Sequence, residues 1–285
     1  TYDVYFGITY DDPTHRANDR YRPVIQLAVS PQPTNGTFWY TKTSLTITNA
    51  SPTTAPTTNY ATQHTAASNN YLLLNDNSTS ALDPVATDFT LSARVYLDAK
   101  GADRPIFTKG SPSAANQSFH LGYDTVNNNF RFSMSNGATV YNVLDTTLGS
   151  PALSTWYCII ATYDDTAKTI SIETNRGAGN SGATTGSPVD GPSNMRIGRD
   201  ASSSTMSGRI DAVREWKRKL TTAEKNLVCN TAGTPGVVYA DAPFTLLDKV
   251  YVWQELDEGS GLPRDDSFQP WRFTDTSTVG QAAAQ

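Results

Sequence analysis

A chain of 285 residues with 10% aromatics and a net charge of -5 has room for one large β domain with extensions, and it carries too much apolar bulk for a disordered tail. Only 17% of its residues are charged, and the densest basic stretch, Arg214 to Lys219, is interrupted by Glu215 and Trp216. The basic face a nucleic-acid binder needs is therefore missing. No run of 18 apolar residues supplies a membrane span, and no signal-peptide pattern opens the chain.

The first stretch, residues 1–48, holds short strand-like runs. Tyr2 to Tyr10 alternates and is rich in strand formers, Asp11-Asp12-Pro13 breaks it, and Pro23 to Val29, Thr37 to Tyr40 and Ser44 to Thr48 follow. This region reads as a β-rich arm or a small docking domain. Residues 49–69 repeat PTT at Pro52 and Pro56. Proline removes ladder donors, so the segment reads as a Pro/Thr-rich linker.

Residues 70–230 form the main body. Strand patterns recur at short spacing from Tyr71-Leu74 through Phe89-Leu97, Pro105-Thr108, Ser118-Tyr123, Asn129-Met134, Thr139-Leu144, Trp156-Tyr163 and Thr169-Glu173 to Met195-Gly198 and Gly208-Trp216. Many short strands separated by turn signals predict an all-β sandwich or barrel. In Phe89-Leu97 the period of two puts Phe89, Leu91, Ala93, Val95 and Leu97 on one face, and Thr90, Ser92, Arg94 and Tyr96 on the other. One helix is predicted: Thr221 and Glu224 form a capping-box pattern ahead of Thr222 to Cys229. The two cysteines, Cys158 and Cys229, lie outside any metal-binding spacing. They read as a disulfide or as two packed thiols.

From about Leu82 to Asn230 the body resembles the laminin-G-like domains of the concanavalin-A-like lectin/glucanase superfamily. The resemblance rests on FTLSARVYL (89–97), PIFTKG (105–110), TWYCIIATYDD (155–165), MRIGRD (195–200) and GRIDAVREWKRKLTTAEKNLV (208–228), in the family's order. It implies a two-sheet antiparallel jelly roll, of a kind that also recurs in phage surface proteins. One departure matters. The family's opening strand is matched near the other end of this chain, by VYVWQELDEGSG (250–261). Residues 231–285 therefore read as a strand segment that packs back on the same sandwich, on a neighbouring copy, or on the N-terminal strands, since so short a piece cannot bury its own core.

Chemistry is sparse. The superfamily's glucanases carry a carboxylate pair in an ExDxxE strand. Here Glu255 and Asp257 match, but Ser260 stands at the third acidic position, so a paired acid and base is not supplied. The three histidines, His15, His64 and His120, adjoin no nucleophile or zinc motif. His120 reads as a satisfied residue within a strand. The resemblance to lectin-like relatives raises Ca²⁺ as a bound ion, and the candidate ligands are Asp164, Asp165, Asp200 and Asp124, the last with Asn127 to Asn129. Each is also an ordinary turn former. Asp211 is expected to pair with Arg209 or Arg214. Trp39, Tyr40, Trp253 and Trp271 are the candidate sugar-stacking aromatics.

These readings lead to a non-enzymatic surface or structural protein, a virion decoration or fibre component with a lectin-like fold. The alternatives are a secreted carbohydrate-binding module and, more distantly, a glycoside hydrolase. The partners expected are other structural proteins or copies of the chain, engaged through the terminal segments, together with glycans. The expected location is a virion surface or the extracellular space.

Overall fold

The structure is a computed structural model that describes residues 3–10, 23–30, 60–75, 84–111, 117–229, 246, 249–254, 274–275 and 280–283. The chain divides into two compact units, residues 1–57 and 58–285. In the first, β1 (Asp3–Tyr10) and β2 (Pro23–Ser30) form an antiparallel two-stranded sheet, with Val4 opposite Val29 and Ile8 opposite Ile25.

The second unit is a sandwich of two antiparallel sheets. Its strands are β3 (Tyr60–His64), β4 (Leu72–Leu74), β5 (Phe89–Leu97), β6 (Arg104–Lys109), β7 (Phe119–Asp124), β8 (Asn129–Ser135) and β9 (Val140–Leu144). They continue as β10 (Trp156–Asp164), β11 (Thr169–Thr174), β12 (Asn180–Ala183), β13 (Met195–Ile197), β14 (Gly208–Trp216), β15 (Val250–Gln254), β16 (Thr274–Asp275) and β17 (Gly280–Ala283). One sheet runs β12-β11-β10-β5-β14-β3-β17. Beside β3, β15 takes the rest of the same edge of β14: Gly208 to Ile210 pair with β3, and Val213 to Trp216 pair with β15. The other sheet runs β16-β4-β13-β6-β7-β8-β9. All pairings are antiparallel, as a jelly-roll sandwich requires.

The core follows from the two-residue period. Phe89, Leu91, Ala93, Val95 and Leu97 of β5 are fully buried against Phe107, Phe119, Leu121, Phe130 and Phe132 of the facing sheet. Phe89 touches Phe119, Phe132 and Tyr163 with ring centroids 5.8 to 6.1 Å apart, which adds aromatic pairing to the area buried. Two glycines of the family-like motifs are required by close approach. Gly208 has φ +146, and a Cβ there would lie 1.9 Å from the Tyr96 carbonyl oxygen. Gly198 has φ +87, and its Cβ would lie 2.3 Å from His64 Nδ1.

A smaller apolar cluster covers part of the outer face of the β5-containing sheet. Helix α1 (Thr222–Val228) starts at Thr221, whose side chain and that of Glu224 complete a capping box. Val228, Leu220, Leu246 and Val250 pack on Cys158, Ile160 and Trp216. Cys158 is bonded to Cys229 across a Cα separation of 5.8 Å, which pins the end of the helix to β10.

Two expectations are corrected here. The stretch 49–69 reads as a linker, yet Tyr60–His64 is a strand paired on both sides, with β14 and β17. The prolines that blunt this segment end at Pro56, and YATQH keeps every ladder donor. Asp211, expected to pair with Arg209 or Arg214, is paired with Arg94 at 3.1 Å. Strand register puts Asp211 directly opposite Arg94, and an irregularity after it, with Ala212 at φ +49, resets the ladder before Arg214.

Candidate functional site

Among the described residues, the apolar cover on the outer face of the β5 sheet stops short of one end. Moving along β5 on that face, Thr90, Ser92 and Arg94 are buried, and Tyr96 is half-exposed. Register then fixes what stands beside Tyr96. Trp156 of β10 is opposite it on one side, Arg209 of β14 on the other, and Gln63 of β3 is opposite Arg209. Four half-buried side chains thus form one row across four strands, three inter-strand steps or roughly 14 Å long. The row borders the raised cover that starts at Cys158, Arg94 and Asp211, making a shelf.

The row is held rigidly. The Arg209 guanidinium lies over the Tyr96 ring, 4.6 Å from its centroid, and that of Arg94 lies over Trp156 at 4.1 Å. The two rings meet at 5.4 Å, tilted by 56°. Cation–π contacts of this kind orient both partners. Burial pulls the Arg94 pKa down, and the facing Asp211 carboxylate opposes it. Arg209 Nε donates to Gln63 Oε1 at 3.1 Å, and Gln63 Nε2 donates to Asp98 Oδ2 at 3.0 Å and to the Gly208 carbonyl at 3.1 Å. The indole Nε1 of Trp156 has no acceptor among the described residues.

The four aspartates raised as calcium ligands do not converge. Among the described residues no group of three or more acidic, histidine or cysteine side chains is arranged to hold a metal ion. Asp164 accepts from Lys219 Nζ at 2.6 Å and from the Ala167 N–H at 2.7 Å, interactions that hold its pKa down. Asp165 accepts from Lys168, Ser187 and Tyr163, and lies at a pKa of about 2, chiefly through Lys168. Asp124 caps the turn to β8 through Asn127 and is paired with Arg131. Asp200 Oδ1 accepts from Ser202 Oγ and the Ser204 N–H, both at 2.9 Å. A calcium ion gathering six to eight oxygens would have to displace these donors, so the fit is poor at all four.

On the outer face of the other sheet, His120 of β7 is only 1% exposed, and neither ring nitrogen has a hydrogen-bond partner among the described residues. This differs from the satisfied strand histidine expected. Asp200 Oδ2 stands 3.8 Å from Nε2, too long for a hydrogen bond. Burial is the main cause of a lowered His120 pKa; Asp200 opposes the shift and Arg131 adds to it.

Of the aromatics expected to stack on sugars, Trp253 lies in β15 but its side chain is outside the described residues. Trp39, Tyr40 and Trp271 also lie outside them, as do Glu255 and Asp257. Tyr96, Trp156, Arg209 and Gln63 take their place as the assembled group. Their signal in the sequence was the large aromatic on the polar side of an alternating strand, at Tyr96. What puts the other three beside it is register.

Residues 65–224 match the profile of the Concanavalin A-like lectin/glucanases superfamily. The chain belongs to this superfamily. Among solved structures it is similar to a candidate carbohydrate-binding protein of Bacteroides ovatus, at 16% identity and a TM-score of 0.56, covering 80% of this chain and 60% of that one. It is also similar to a heptameric SAP-like pentraxin of Limulus polyphemus, at 12% identity and a TM-score of 0.52, covering 81% of this chain and 97% of that one. The chain therefore spans less than two thirds of the Bacteroides protein. No curated protein sequence matches it. At these identities the shared property is the superfamily fold.

Proposed function

We propose that this superfamily member is a non-enzymatic carbohydrate-binding domain of a secreted or surface-displayed protein. The observation that carries the reading is the transverse row Trp156-Tyr96-Arg209-Gln63. It combines part-exposed aromatic surface with the fixed polar groups of Arg209 and Gln63, the composition that sugar sites use. The names of the structural relatives agree with it, though fold likeness alone is weak warrant for function. The Cys158–Cys229 disulfide supports an oxidising compartment. Asp98 and Asp211 beside the row accept from Gln63 and Arg94, and the calcium candidates accept from arginine, lysine, hydroxyl or turn N–H donors, which suits a binding role better than an acid–base pair.

The test is a glycan array with the wild-type protein, with Ca²⁺ and then with EDTA, followed by Trp156→Ala and Tyr96→Ala. Binding that survives EDTA and falls roughly tenfold or more in both variants, with melting curves showing that they fold, is the expected result. Binding abolished by EDTA would move the site to the aspartates.

A second reading, a virion decoration or fibre component, is favoured by one observation. Residues 1–57 form a unit of their own, whose described strands pair with each other, as a docking arm would. Absence of the protein from every particle fraction of its source would end that reading.

A further inference from the structure

We propose that the ligand of the row is an anionic saccharide, a sugar bearing a carboxylate or a sulfate, gripped by the outer edge of the Arg209 guanidinium. The inference rests on the glycan-binding reading above. Its basis is an asymmetry among the arginines. Arg94, Arg131, Arg176 and Arg218 each place a terminal nitrogen on a carboxylate, and Arg104, Arg196 and Arg199 each place one on a carbonyl or hydroxyl oxygen. Arg209 does not. Its Nε is taken by Gln63 Oε1, its face lies on Tyr96, and its two terminal nitrogens have no acceptor among the described residues. The side chain is half-exposed, so these donors meet solvent at the shelf.

The arrangement is costly to keep for stability alone. An arginine fixed by stacking and by its Nε has already lost most of its rotamer freedom, yet its strongest donors are unused. That is the preorganised state from which a planar or tetrahedral oxyanion is bound bidentately, with little further ordering on binding. Among the described residues, Asp98 accepts from Gln63 Nε2 and Asp211 from Arg94. Neither neutralises Arg209. The net charge of -5 means that the chain as a whole repels polyanions. Capture of an acidic polymer would therefore report a local site and not a general basic surface.

The experiment measures binding of the full chain to three polymers at physiological salt: polygalacturonate for the carboxylate, dextran sulfate for the sulfate, and dextran as the neutral control. Arg209→Gln, Arg209→Lys and Trp156→Ala are compared, each checked by its melting curve. The expected result is binding to one of the two polyanions, weakened about 10- to 100-fold by Arg209→Gln and by a smaller factor in Arg209→Lys, which keeps the charge and loses the fork. Should Arg209→Gln not fold, a several-fold loss in Arg209→Lys carries the same conclusion. The polymer retained distinguishes carboxylate from sulfate. Polyanion binding unchanged in the Arg209 variants overturns the inference. Binding to dextran or other neutral glycans but to neither polyanion overturns it too, and leaves the glycan-binding reading intact. Failure to bind any glycan overturns both.

Discussion

His120 shows how much one buried side chain can set. The strand pattern of Phe119-Asp124 alternates, so Phe119, Leu121 and Tyr123 enter the core and His120 faces outward. Its outward position is nevertheless almost fully covered, and its ring nitrogens are left without partners among the described residues. Burial disfavours the imidazolium, so the folded-state pKa lies below the ordinary value. The unfolded chain therefore takes up the proton first as pH falls. Stability from this group is complete above about pH 6.5 and is lost progressively below it. Burial also opposes ionisation of Asp200, but the facing His120, Ser202 Oγ and the Ser204 N–H outweigh it and hold the carboxyl below the usual range. Its contribution is lost only at more acidic pH. The melting temperature of the wild type is expected to fall more steeply from pH 7 to pH 5 than that of His120→Gln. Parallel slopes would show that His120 is protonated as easily in the fold as out of it.

At the level of elements, the join between α1 and β10 depends on residues far apart in the chain. A seven-residue helix is too short to persist alone. Thr221 and Glu224 cap it, and Arg218 bridges to Glu224 through both terminal nitrogens, but its apolar side has to be held against β10 and β14. The bond between Cys158 and Cys229, 71 residues apart, does so and restricts the unfolded chain. Loop-closure entropy puts its contribution at about 4 kcal/mol. Reduction, or the double variant Cys158→Ser/Cys229→Ser, is expected to lower the melting temperature by roughly 10 °C. It should also loosen the cover beside the Arg94 and Asp211 row. A melting temperature indifferent to reductant would mean that packing alone holds the helix.

For the molecule as a whole, the C-terminal segment supplies strands to both sheets. Residues Val250–Gln254 pair with β14, Thr274–Asp275 with β4, and Gly280–Ala283 with β3. Without them β14, β4 and β3 would present open edges, and Val250 and Val252 would leave their apolar neighbours. A chain ending at residue 248 is therefore expected to melt at a markedly lower temperature and to self-associate in sedimentation. If it melts like the full chain as a monomer, these pairings contribute nothing to the sandwich.

The amino-acid sequence by itself determined the fold class. Alternation in Phe89-Leu97 and its successors specifies half-buried strands, and five motif matches in order specify the superfamily to which residues 65–224 belong. It also specified the helix, because a capping box acts within one turn. These are local signals, carried by residues a few positions apart. What only the tertiary structure decided is long-range: that Asp211 meets Arg94, that Cys158 meets Cys229, and that Tyr60–His64 enters a sheet. The shelf belongs to the same class. Trp156, Tyr96, Arg209 and Gln63 come from four strands separated by tens of residues, and they are neighbours only because antiparallel register sets them opposite one another. A slip of one residue in any pair would turn a member of the row to the other face, and no local pattern encodes which register wins.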